Sequence, residues 1–136
     1  MRTILALFLL VATPALAQTV DIQPDSIKLA EGSIVVTMAL ISRQDAKLIL
    51  TSASLTDHAG RSFALSQAVG IDFAIRDACK IGMVFTANTR TTIILRFEGQ
   101  GSPPFDLSAQ FQTPDRSEMF GCRTFGLSLA GLTPPP

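Results

Sequence analysis

The chain has 136 residues, 47% hydrophobic and 16% charged, with eleven Lys and Arg against eleven Asp and Glu. That length sets a single domain as the prior. A neutral balance without a cationic cluster argues against nucleic acid, and ample Leu, Ile, Val and Phe argue against intrinsic disorder.

The first residues read as an address. Met1-Arg2 is a short positive start, Ile4 to Ala12 is apolar, and Ala15-Leu16-Ala17 has the A-x-A pattern. These are the three regions of a secretory signal peptide. The apolar run has nine residues, too few to cross about 30 Å of hydrocarbon as a helix. Cleavage is expected between Ala17 and Gln18. This divides the chain into a signal peptide (1–17), one domain (18–132) and a Pro-rich tail (133–136). No later apolar stretch approaches 18 residues, so no transmembrane segment is expected in the mature chain. With no Trp or Tyr, an aromatic-girdled outer-membrane barrel is also a poor fit. The expected location is periplasmic or secreted, and soluble.

The two cysteines, Cys79 and Cys122, both lie in the mature part and enclose 44 residues. In an oxidising compartment such a pair reads as a disulfide. Loop-closure entropy sets a ceiling of roughly 4 kcal/mol on its contribution. A tetrahedral zinc site wants four Cys or His ligands, and the chain has two Cys and one His.

Along the mature chain the dominant period is two. Ile34 to Ile41 puts Ile34, Val36, Met38 and Leu40 on one face and Val35, Thr37, Ala39 and Ile41 on the other. Both faces are apolar enough for a strand covered on both sides. Lys47 to Leu55 follows, with Ile49, Thr51, Ala53 and Leu55 sharing a face. Thr56 to Arg61 is a turn, because Asp57 bonds local backbone and Gly60 permits positive φ. Ser62 to Leu65 resumes the extended pattern with Phe63 and Leu65 inward. Val69 to Phe73 alternates, and Ala74 to Lys80 fits a short helix or a loop. Thr91 to Glu98 is the clearest strand, with Thr91, Ile93, Leu95 and Phe97 on one face. Gly99 to Pro104 is a loop. Phe105 to Phe111 alternates cleanly, and Phe125, Leu127 and Leu129 line a last strand. Turn residues separate these runs, so the expected fold is all-β, an antiparallel β-sandwich of about seven strands.

The order of these segments resembles the immunoglobulin-like accessory domains of exported bacterial proteins. The likeness is carried by an alternating strand, the Leu55-x-Asp57-x-x-Gly60 turn leading into Phe63, then Val69-Gly70-Ile71, the Thr91–Phe97 strand, and the final Phe125-Gly126-Leu127-Ser128-Leu129. It covers roughly residues 30 to 131 and implies an immunoglobulin-like sandwich with a non-catalytic role. It transfers no catalytic residue.

Few residues offer chemistry. His58 is the sole imidazole, so any His-based catalysis or metal binding must use it. Nothing in the spacing of Asp57, His58 and the nearby serines enforces a triad. Gly121-Cys122-Arg123 shares a tripeptide with the nucleophile segment of L,D-transpeptidases. The His-Gly partner segment is missing, and a disulfide would remove the thiolate. Met38, Met83 and Met119 with His58 are possible soft copper ligands but are widely spaced. Asp57, Asp72 and Asp77 lack a calcium-loop pattern. No phosphate-binding glycine motif occurs. No catalytic residue, cofactor or metal is therefore assigned. The expected role is a non-enzymatic module acting on a protein or envelope partner. The rival is a small periplasmic enzyme or ligand carrier using His58 with the loop carboxylates Asp57 and Asp72.

Overall fold

The computed structural model describes residues 20–74, 82–114 and 121–135. They form strands β1 (Val20–Ala30), β2 (Ser33–Ser42), β3 (Ala46–Thr56), β4 (Ser62–Val69), β5 (Met83–Phe85), β6 (Thr91–Glu98), β7 (Phe105–Pro114) and β8 (Cys122–Leu132). The all-β expectation holds. Among the described residues no helix is long and apolar enough to cross a membrane. Residues 1–19, with the expected cleavage site between Ala17 and Gln18, lie outside the described residues, as does the stretch 75–81 that contains Asp77 and Cys79.

Seven strands follow one antiparallel path, β1-β2-β6-β4-β3-β7-β8, and β5 pairs with β3 off that path. The sheet curls because β4 serves two neighbours. Its first residues, Ser62 to Ala64, pair with β3, while Leu65 to Val69 pair with β6. The inward faces of the long strands meet in one cluster. Ile34, Val36, Met38 and Leu40 from β2 pack with Ile93, Leu95 and Phe97 from β6 and Phe105 and Phe111 from β7. Phe111 also stacks on Phe125 of β8 at 5.2 Å between ring centroids. Burying side chains of this size contributes about 1.5–3 kcal/mol each.

Four register shifts interrupt the ladders, at Pro24/Ser26, Leu50/Ser52, Leu65/Gln67 and, between β7 and β8, Phe105/Leu107. A bulge inserts an unpaired residue and reverses the inward parity. At two of them the extra residue carries a hydroxyl that donates across the strand pair. Thr51 Oγ1 donates to the Gln110 carbonyl at 3.1 Å, and Ser66 Oγ to the Arg96 carbonyl at 3.0 Å. A third, at Asp25, places a carboxylate 3.1 Å from the Arg90 guanidinium.

These bulges account for one of four departures from the expected strands. The shared face of Ile49, Thr51, Ala53 and Leu55 is broken at Thr51. Leu48 and Leu50 join the core before the bulge, and Ala53 and Leu55 after it. Ile49 is buried on the opposite face, where Gly82 packs against it. Second, Val69 to Phe73 is not a strand of its own. Val69 ends β4, and Phe73 makes one parallel bridge to Leu50. Third, β2 is fully covered on one face alone, and Ile41 on the other is exposed. Fourth, β1 and β5 are additional strands. By contrast, β6, β7 and β8 bury the faces that alternation assigns to them.

Candidate functional site: the Asp57 corner and its neighbouring cleft

Between β3 and β4 the chain reverses through Asp57 to Arg61. The Asp57 N–H donates to the Arg61 carbonyl at 2.9 Å, and the Gly60 N–H to the Asp57 carbonyl at 3.0 Å. The Asp57 side chain is fully enclosed, whereas the Arg61 side chain beside it is more than half exposed. Five donors converge on this carboxylate. The backbone N–H groups of Ala59 and Arg61 reach Oδ1 at 3.0 and 2.9 Å. Arg61 Nε and Nη2 reach Oδ2 at 3.1 and 2.9 Å, and the Ser102 N–H reaches it at 3.0 Å. Burial alone would push the carboxyl up. The hydrogen bonds from Ser102 and Arg61, and the Arg61 charge, outweigh it and hold Asp57 below its ordinary value.

Ser102 brings the loop after β6 to this turn. Its carbonyl accepts from the His58 N–H at 3.0 Å while its own N–H bonds Asp57, a reciprocal pair. The same loop is held to the β1–β2 turn, where the Gly99 N–H donates to the Gly32 carbonyl at 3.0 Å. Three turns thus gather at one end of the sheet. The Phe63 ring fills the space under the loop: a Cβ on Gly99 or Gly101 would lie 2.6 or 2.8 Å from it.

Beside this corner is a cleft of about 240 Å³, lined by Leu29, Ala30, Ser33, Ile34 and the Gly99–Gly101 loop. At its rim Arg96 Nη1 donates to Ser33 Oγ at 3.0 Å. The cleft is smaller than the ~300–1,000 Å³ usual for small-molecule sites. Its lining contains no His, Cys, Asp or Glu, so it offers neither a general base nor a strong metal donor.

The residues of the rival catalytic reading do not converge. His58 is exposed in the turn, and Asp57 beside it is committed to its five donors. Asp72 is exposed near the far end of β3, where its carbonyl accepts from the Leu50 N–H at 2.9 Å. Leu50 and Asp57 are separated by roughly 20 Å of extended strand. Met38 fills the core, Met83 lies exposed on β5, and Met119 and Asp77 fall outside the described residues. Among the described residues no three His, Cys, Asp or Glu side chains form a metal-binding group.

Cys122 opens β8 opposite Pro114. No cysteine among the described residues is free. Its expected partner, Cys79, lies outside them.

The Asp57–Arg61 half of the corner carries a local sequence signal: a turn aspartate, a glycine three residues on and a guanidinium four residues on. The Ser102 half, 45 residues away, has no such signal. No family model, curated protein or solved structure matches the chain.

Proposed function

We propose that the mature chain, from Gln18, is an exported immunoglobulin-like β-sandwich that acts without catalysis, as an interaction module for a protein or envelope partner. One observation carries the non-catalytic part. Asp57, the carboxylate beside the sole histidine, is consumed by hydrogen bonds that hold turns together, so its chemistry is spent on the fold. The curled antiparallel path, with β4 bridging its two halves, is compatible with a sandwich whose layers meet along that strand. The signal-peptide grammar of residues 1–17 supports export. Export in turn supports a disulfide between Cys79 and Cys122.

Two experiments test this reading. In a host lacking the gene, His58→Ala and Asp72→Asn should each restore function fully. Both residues are exposed, and surface substitutions usually change stability by less than about 0.5 kcal/mol. A folded variant that fails to complement returns the enzyme or carrier reading. The second experiment is mass spectrometry with thiol alkylation on protein taken directly from the envelope. It should find Gln18 or its cyclised form at the N-terminus and no alkylated cysteine. Reduction should then lower stability by about 2–4 kcal/mol. An intact Met1 overturns export, and a full thiol titre overturns the bridge.

A further inference from the structure

Beyond Met1 the chain carries three methionines, and they are placed differently. Met38 is fully buried in the middle of β2, Met83 is 38% exposed, and Met119 lies outside the described residues. Met83 opens β5, a strand of three residues that pair with Ala46, Lys47 and Leu48 of β3. Among the described residues β5 pairs with β3 alone. Met83 stands opposite Leu48, and opposed residues of an antiparallel pair share a face. Leu48 is wholly in the core, so the Met83 side chain leaves β5 on the core side and straddles its margin. Phe85 lies on that side too and is buried, whereas Val84 is 59% exposed on the other. Two side chains therefore anchor β5, and one of them is an accessible thioether.

We propose that Met83 is an oxidant-sensitive latch on β5, whose conversion to the sulfoxide by hydrogen peroxide releases this strand from β3. The sulfur attacks one peroxide oxygen. An S–O bond forms as the O–O bond breaks, the proton on the attacked oxygen passes to the departing one, and water leaves. Sulfur gives up two electrons and the peroxide takes them. A thioether is apolar and fits against Leu48, but a sulfoxide is a strong acceptor. Held against the core margin it would lack a hydrogen-bond partner, so it turns out to water and withdraws from Leu48. β5 is then anchored by Phe85 alone, and so short a ladder opens locally while the rest of the sheet stays closed. This inference rests on exposure and pairing, and does not depend on the proposed interaction role.

Hydrogen–deuterium exchange of the mature protein before and after peroxide treatment tests it, with peptide mass spectrometry locating each sulfoxide. Met83 should oxidise ~10-fold or more faster than Met38, and exchange across Met83–Phe85 should accelerate ~5-fold or more while β6 and β7 are unchanged. Met83→Leu keeps the volume and removes the sulfur, so its β5 should not respond to peroxide. Met83→Gln should exchange rapidly without any oxidant. Reductases acting on both sulfoxide epimers should restore slow exchange to the oxidised protein. Oxidation of Met83 no faster than that of Met38 overturns the proposal. So does an oxidised Met83 with unchanged exchange in β5. An acceleration that persists in Met83→Leu also overturns it, because the response then belongs to another residue.

Discussion

Replacing Asp57 with alanine should loosen the whole end of the sheet where three turns meet, lowering the thermal midpoint by roughly 10 °C or more. The change removes the buried acceptor shared by the Ser102 N–H and two turn N–H groups and so cuts the tie between the β3–β4 turn and the loop after β6. Asp57→Asn keeps one acceptor oxygen and loses the charge, so its effect should be smaller and of the same sign. Arg61→Ala should be milder still, because that guanidinium is more than half exposed and solvent screens its attraction. The pH profile separates the carboxylate's role from simple packing. Asp57 titrates below its ordinary value of 3.8 in the folded chain. Its stabilisation is therefore complete above that value and disappears as pH falls through the lower, folded one. The gap between wild type and Asp57→Asn should be constant near neutrality and narrow below about pH 4. Equilibrium denaturation across that range measures it. A gap that stays constant down to pH 2 would mean that the charge is not what the corner uses.

The same corner marks where local sequence pattern stops informing. Period-two alternation located β6, β7 and β8 and the faces they bury, since along each the buried positions alternate with exposed or half-exposed ones over most of its length. It failed at β3 because a single extra residue, Thr51, reverses parity midway. A bulge is a property of two strands at once and leaves no mark on either alone. It also left β1 without a reading. Asp21, Gln23, Pro24 and Asp25 interrupt its apolar positions, yet an edge strand tolerates proline and needs apolar residues only where Val20, Ile22 and Ile27 touch the core. At the candidate site, the turn and its aspartate were legible. Their purpose was not, because the Ser102 bond spans 45 residues. An aspartate next to the only histidine reads as catalytic grammar, and its burial under five donors turns it into a fastener.

Among the described glycines, Gly70→Ala should be the costliest substitution, at about 2–5 kcal/mol. Gly70 ends the β4–β6 pairing and steers the chain away from β6 toward β3. Ile71 is then buried, and Asp72 and Ala74 exchange backbone bonds with Leu50. The turn demands φ +89° at Gly70, which costs an L residue about 1–2 kcal/mol. A Cβ there would also drive into the Thr92 carbonyl, which belongs to a core strand and cannot yield without shifting Ile93. Overpacking against a fixed backbone adds typically about 1–3 kcal/mol. Gly32→Ala is the control that divides these two contributions. Gly32 has φ +75° with nothing within 4 Å of an added Cβ, so it should cost the conformational part alone. Urea unfolding of both variants gives the difference directly, and it should favour Gly32→Ala by at least about 1 kcal/mol. Equal losses would place the whole effect in backbone strain. They would also mean that the chain after β4 can shift away from the Thr92 carbonyl at little cost.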